Sequence, residues 1–192
     1  MSLRSRHRLL TLLLAIVGVC TVARAQNLNT RDLLIKGDTV PPLRGFGIDG
    51  NTVTVNYSSQ LKPTVVYVVQ VANGAARGFG KVNEANFAAL VQQAGARFHF
   101  VLVVPEDDGG LVNYVATARA GWGTTPVTVV ANVPDDVRQA YTMFAYPQTL
   151  VISHEGKVLE SFQGAYTASS RNAQPEVIQR YFGITLTVAK GH

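Results

Sequence analysis

Three runs of β-branched and aromatic residues constrain the fold of this chain more than any other feature of its sequence. They span residues 64–71, 98–104 and 127–133, and none of them contains an acidic residue, a lysine or an arginine. A strand without a charged face is typical of the interior of a parallel sheet, where both faces are covered. The three runs therefore predict neighbouring strands at the centre of one sheet.

Helical patterns lie between these runs and after them. Apolar residues recur three or four positions apart over residues 82–91 and 111–118, and Pro134 with two acids after it is typical of a helix start that continues over 137–144. A last helix is predicted over 175–181, with Gly183 as its C-cap. Because parallel strands need crossover connections, we expect helices on both faces of the sheet.

Two hairpins complete the predicted architecture. Residues 45–50 have the spacing G-x-G-x-x-G, but no helical pattern follows, so a turn leading into a strand over 52–57 is favoured over a nucleotide loop. Residues 148–153 and 157–163 flank a Glu-Gly turn and predict an antiparallel pair. The predicted fold class is α/β: a central mixed, mostly parallel sheet with an antiparallel edge hairpin, helices on both faces and an N-terminal β-hairpin extension.

The first 25 residues are typical of a signal peptide. Arginines at positions 4, 6 and 8 precede an apolar run over residues 9–20, and Ala23-Arg24-Ala25 has the small-x-small pattern of a cleavage site. The apolar run is shorter than the ~20 residues that span a bilayer. We therefore expect cleavage before Gln26, a periplasmic or secreted protein, and no membrane span after cleavage.

Most of the positive charge of the chain belongs to this leader. The formal net charge is +5, but four arginines and no acid lie within residues 1–25, which leaves +1 from Gln26 onward. Binding to nucleic acid depends on clustered lysine and arginine. The sequence therefore predicts no nucleic-acid partner.

The only cysteine of the chain, Cys20, lies inside the predicted leader. The mature chain would then form no disulfide, no thiolate metal site and no cysteine nucleophile, although it is expected in a compartment that permits disulfides. His99, His154 and His192 lack the spacing of metal ligands, and the segment EDDGG at 106–110 lacks the spaced oxygens of a calcium loop. No metal and no cofactor are expected.

One domain accounts for the mature sequence, because no internal repeat or low-complexity linker divides it. We expect a cleaved signal peptide over residues 1–25, an irregular lead-in over 26–44, a single domain over 45–183 and a C-terminal tail over 184–192. Trp122, which stands between two glycines, is expected to pack at a helix end rather than to recognise a partner.

Several short segments resemble one known family when their order and spacing are taken together. They are IKGDTVP at 35–41, the turn Asp49-Gly50, KPT at 62–64, YPQTLVI at 146–152 and EGKV at 155–158. These segments resemble the exported thioredoxin-like redoxins, namely TlpA-type thiol-disulfide oxidoreductases and the related peroxiredoxins. The resemblance covers about residues 33–183 and implies a thioredoxin-like fold with a cis-proline strand that starts at Tyr146-Pro147.

The resemblance also shows what this chain lacks. In the family, a Cys-x-x-Cys motif follows the first core strand at a helix N-terminus, which lowers the pKa of the first cysteine. The best register places residues 73–77 (NGAAR) on Cys-Gly-Pro-Cys-Arg, so Asn73 takes the position of the nucleophile and Ala76 that of the resolving cysteine. A shift toward Gly80 stays open, but no register supplies a sulfur atom. Thiol exchange and peroxide reduction therefore do not carry over.

The family implies a groove between this helix start and the proline loop, and in the family the groove holds an extended segment of a partner protein. We therefore expect a non-catalytic module that binds an exported protein or peptide by backbone pairing. The residues assigned to the groove are Asn73, Gly74, Arg77, Tyr146, Pro147 and Gln148.

Three alternatives stay open at this point. Asn73, Arg77 or Tyr146 could serve a thioredoxin-like oxidoreductase or a peroxiredoxin-related enzyme with an unconventional active site. The chain could also be a subunit of an exported assembly. Finally, a helix N-terminus near Asn73, Arg77 and Lys81 could bind an anion, although a permissive loop that begins a helix is favoured.

Overall fold

The computed structural model describes residues 34–72, 75–76, 80–107, 109–144, 146–163 and 174–186. The predicted leader, the first part of the lead-in, and Asn73, Gly74, Arg77 and His192 lie outside the described residues. Within these ranges, no helix has both the length and the apolar character that crossing a membrane requires.

The described residues form nine strands and four α-helices, with one 3-10 turn at Tyr57–Ser59. The strands are β1 Leu43–Phe46, β2 Thr52–Val55, β3 Thr64–Val68, β4 Val71–Ala72, β5 Ala75–Ala76, β6 His99–Val104, β7 Val127–Ala131, β8 Gln148–Ile152 and β9 Val158–Gln163. The helices are α1 Gly80–Ala94, α2 Leu111–Arg119, α3 Asp135–Ala140 and α4 Gln174–Phe182.

Seven of the strands form one mixed sheet in the order β2-β1-β7-β6-β3-β8-β9. The three apolar runs supply β3, β6 and β7, which pair in parallel at its centre. The predicted mixed sheet and its edge hairpin β8–β9 are confirmed. Parallel pairing is confined to the three central strands, because β8 runs antiparallel to β3 and β1 runs antiparallel to β7.

Side chains of β3 alternate between two apolar layers, which is why the strand carries no polar face. Val65 and Tyr67 belong to a core that also contains residues of α1, α2 and α4. Val66 and Val68 belong to a second core with residues of α3 and of the lead-in. Helices therefore cover both faces of the sheet, as predicted.

The core beneath α1 is built around aromatic rings. Phe87 of α1 stacks on Tyr67 of β3 with ring centroids 4.4 Å apart, and Trp122 meets Phe87 edge to face at 6.2 Å. Only 4% of Trp122 is exposed. The prediction that this tryptophan packs at the end of a helix is confirmed.

The predicted tail is not a separate segment where it is described. Gly183 ends α4 with a φ of 62°, and the N–H of Ile184 donates to the carbonyl of Gln179, which is the Schellman closure expected of a C-cap glycine. Ile184 and Leu186 are then buried in the core beneath α1. Residues 184–186 therefore belong to the domain rather than to a tail.

Candidate binding groove

The carboxyl end of β3 and the amino end of β8 meet at one edge of the sheet core. Their antiparallel register pairs Val68 with Gln148, so the next residues along the two strands, Val69 and Pro147, are neighbours. The N–H of Val69 donates to the carbonyl of Val103 at 2.9 Å, which holds the end of β3 against β6. The segment that leaves β3 and the Tyr-Pro loop therefore start side by side.

The peptide bond between Tyr146 and Pro147 is cis. The Tyr146 ring is half-buried and packs against the core that contains α3, while its hydroxyl donates to the carbonyl of Met143 at 2.8 Å. Burial raises the pKa of Tyr146 above its usual value, and Arg138 partly opposes that shift. Tyr146 is therefore a neutral phenol that anchors its own loop.

Gln148 is fully buried, which corrects its assignment to the groove. Its side-chain amide donates to the carbonyl of Tyr141 at 3.3 Å, and no described residue pairs with its Oε1 atom. Neighbouring strands lie on both sides of Gln148, because β8 pairs with β3 and with β9. Its side chain therefore contacts the chain's own interior and is not exposed at the groove.

The segment after β3 folds differently from the predicted register. Val71 pairs with Ala76 and Ala72 with Ala75, so these residues form the small antiparallel hairpin β4–β5. The described part of α1 begins at Gly80. Ala76 therefore lies on a strand and not in the first turn of a helix, which corrects the position assigned to it. Asn73, Gly74 and Arg77, the other residues assigned to this side, lie outside the described residues.

Phe144 is an exposed aromatic beside the Tyr-Pro loop that the sequence did not single out. Its side chain is 69% exposed. It follows Thr142, which has a φ of 49° in the left-handed region that a β-branched residue rarely adopts. Helical periodicity predicts that α3 continues over residues 141–144, but the helix ends at Ala140. The predicted end of this helix is therefore wrong, and the turn places Phe144 in solvent.

The remaining candidates have structural explanations. Oδ1 of Asp107 accepts hydrogen bonds from the backbone N–H groups of Gly109 and Leu111, so it caps the start of α2. His99 lies in β6, half-buried, with its Nε2 atom 3.1 Å from the hydroxyl of Thr128. Within the described ranges, no three histidine, cysteine or carboxylate side chains come together as a metal site would require.

Comparisons with known proteins agree with this architecture. The thioredoxin domain of a thiol-disulfide oxidoreductase from Bacteroides vulgatus superposes with a TM-score of 0.53 at 17% identity, over 78% of this chain and 99% of that one. A peroxidoxin from Mycobacterium tuberculosis has a TM-score of 0.51 at 17% identity, over 68% and 86%. A peroxiredoxin-like protein from Aquifex aeolicus has a TM-score of 0.51 at 14% identity, over 68% and 77%.

These likenesses define the fold class of the molecule: it is a thioredoxin-like fold in a chain that has no Cys-x-x-Cys motif. At these identities the similarity establishes the fold alone. No protein-family model and no curated protein matches the chain.

Proposed function

We propose that this chain is an exported thioredoxin-fold module that binds an extended segment of another exported protein and does no thiol chemistry. The observation that carries the proposal is that the Tyr146–Pro147 loop stands beside the end of β3 in a chain whose only cysteine is Cys20. A thiol-disulfide exchange needs a thiolate at that place. Binding of an extended peptide in the same groove needs no thiolate.

The backbone at the loop supports this proposal. None of the described residues is hydrogen-bonded to the backbone N–H or carbonyl of Tyr146. Open main-chain groups at the start of a strand are what an extended peptide pairs with. The hydroxyl of Tyr146 is bonded to the carbonyl of Met143, so the side chain of Tyr146 is already held in place before a partner arrives.

Phe144 supplies an apolar contact for such a segment. Most of its ring is in solvent, two positions before Tyr146, and exposed aromatic residues dominate the energetics of many interfaces. The favoured partner is therefore an extended peptide with an apolar side chain near the residue that pairs with Tyr146.

A displayed library of unstructured peptides tests the binding site directly. We expect enrichment of extended, apolar-containing peptides, and Phe144→Ala should weaken their binding by about tenfold or more. Tyr146→Ala and Arg77→Ala should weaken it as well. Leu61→Ala is the matched control, because Leu61 is fully exposed and precedes β3 at the opposite end of that strand. Equal binding by the Phe144 and Leu61 variants would reject the site.

Assays of insulin reduction and of peroxide reduction test the absence of thiol chemistry. We expect both rates to equal the uncatalysed background. Turnover above background that survives in Cys20→Ser would overturn the proposal and would favour an oxidoreductase with an unconventional site.

Export is tested by the N-terminus of the protein made in a bacterial host. We expect the mature form to begin at Gln26 and to be found outside the cytoplasm. Replacing Ala23 and Ala25 by large residues should leave the precursor uncut. An intact N-terminus in the unmodified chain would contradict this part of the proposal.

A further inference from the structure

The two edge strands of the seven-stranded sheet, β9 and β2, differ in how far they are covered by other segments and by charged residues. At the β9 edge, the N–H of Gly37 donates to the carbonyl of Val158, and the N–H of Val158 donates to the carbonyl of Asp38, both at 2.8 Å. Thr39 forms a further bridge with Lys157, and Glu160 adds a charge to the strand. Covering segments and charges of this kind protect an edge strand from pairing with another chain.

The β2 edge has no such protection in the part of the chain that the structure describes. The strand is Thr-Val-Thr-Val, and no charged residue occurs from Asn51 to Leu61. The N–H of Gly47 donates to the carbonyl of Asn51, so Val53 and Val55 share hydrogen bonds with β1. The backbone groups of Thr52 and Thr54 therefore point outward, and no described residue is bonded to them.

We propose that two copies of this chain pair antiparallel through β2 and join their sheets into one. With the twofold axis at Val53, Thr52 of one copy lies opposite Thr54 of the other. Both outward N–H groups and both outward carbonyls of each strand are then satisfied. Neither the established fold nor the proposed peptide groove requires this contact, because β2 and β8 are separated by four strands.

A second copy fits this edge because the strand is complementary to itself. The sequence Thr52-Val53-Thr54 reads the same in both directions, so the twofold pairing places equal side chains opposite each other. A charged residue near the axis would face its own copy and repel it, and none is present. Val53, which is half-buried against its own core, gains a second valine as its neighbour.

The position of the twofold axis can be tested by a disulfide. In the Cys20→Ser background, Val53→Cys places two thiols opposite each other in a non-hydrogen-bonded pair, where Cα atoms lie about 4.5 Å apart. Such a pair is within the range that a disulfide spans. Thr54→Cys in the same background is the matched control, because its Cα atoms would lie more than ~7 Å apart. Preferential oxidation to a dimer at position 53 is expected, and equal or no crosslinking at the two positions would overturn the proposal.

Sedimentation of the full chain tests the contact without a crosslink. We expect concentration-dependent dimers whose dissociation constant rises by about tenfold or more in Thr54→Pro, since each copy loses an outward N–H. Thr54→Val keeps the N–H and should dimerise like the unmodified chain. The fold should tolerate Thr54→Lys because this position is exposed. The lysines of the two copies would lie near the twofold axis and repel each other, so this variant should weaken the dimer as well. A monomer at every concentration, or dimers unaffected by both the proline and the lysine variants, would refute the pairing.

Discussion

A chain of two buried phenols joins three distant parts of the sequence. The hydroxyl of Tyr141 donates to the carbonyl of Pro41, so the hydroxyl of Tyr57, 2.6 Å away, donates to that of Tyr141. Burial raises the pKa of Tyr57 and of Tyr141 above the usual value, and both phenols therefore stay protonated at neutral pH. The pair ties the lead-in, the 3-10 turn and the end of α3 to one point.

We expect Tyr141→Phe to cost more stability than Tyr57→Phe. The first change leaves the buried hydroxyl of Tyr57 without its acceptor and the carbonyl of Pro41 without its donor, at about 2 kcal/mol, whereas the second removes one bond, at about 1 kcal/mol. Urea unfolding of both single variants and of the double variant measures this order. Equal costs that add in the double variant would contradict the chain of bonds.

We expect His99 to make the stability of the domain depend on pH. Burial lowers the pKa of this imidazole below the usual 6.5. As pH falls through 6.5, the imidazole of the unfolded chain therefore takes up a proton that the imidazole of the folded chain does not. The free energy of unfolding should therefore decrease as the pH is lowered from 6.5, and it should level off once the pH is below the folded-state pKa of His99.

Replacement of His99 by a neutral side chain tests this dependence. His99→Gln should reduce the loss of stability between pH 7.5 and pH 5.5 in denaturant titrations. His154→Gln, which removes an imidazole from an exposed turn, is the matched control. An unchanged pH dependence in His99→Gln would show that other groups are responsible.

Gly45 allows β1 to approach β7 closely. A Cβ atom at this position would lie 2.5 Å from the carbonyl oxygen of Ala131 and 2.7 Å from a methyl of Val130. Gly45→Ala should therefore push β1 and β2 away from the sheet, at a cost of more than about 2 kcal/mol.

The hairpin turn offers a matched comparison for this substitution. Gly50 has a φ of 77° but open space around it, so Gly50→Ala should cost only about 1–2 kcal/mol through its backbone conformation. Thermal unfolding followed by circular dichroism compares the two variants. A smaller loss in Gly45→Ala than in Gly50→Ala would contradict the close approach.

The elements that could be predicted from the sequence are those whose signal is local. The uncharged runs predict β3, β6 and β7, because burial on both faces excludes charged residues along the whole length of a strand. The loop after β3 is rich in glycine and alanine, which carry no periodicity, so its register and the hairpin β4–β5 were missed. The end of α3 could not be predicted, because the helical pattern continues to Phe144 whereas the backbone at Thr142 has a left-handed φ of 49° that a helix cannot continue through.

In the candidate site, too, only the residues with a local sequence signal could be predicted. Tyr146 and Pro147 could be located because the motif that carries them is continuous in sequence. The same motif places Gln148 in the groove, and only the pairing of β8 with strands on both sides shows that this residue is buried. Phe144 had no sequence signal, since a helical pattern covered it.

The stability of the whole molecule should not depend on redox conditions. With Cys20 as its only cysteine, the chain cannot form an internal disulfide. The thermal midpoint should therefore be the same under reducing and oxidising conditions, with a disulfide-bonded exported protein run in parallel as a positive control. A shift that persists in Cys20→Ser would contradict this expectation.

The burial of Trp122 has one more consequence. It is the only tryptophan of the chain, and its indole meets Phe87, the ring that fastens α1 to β3. Tryptophan fluorescence, excited selectively over that of the tyrosines, therefore comes from a single place, the junction of α1 with the sheet. A red shift in that emission would report the undocking of α1 without any attached dye.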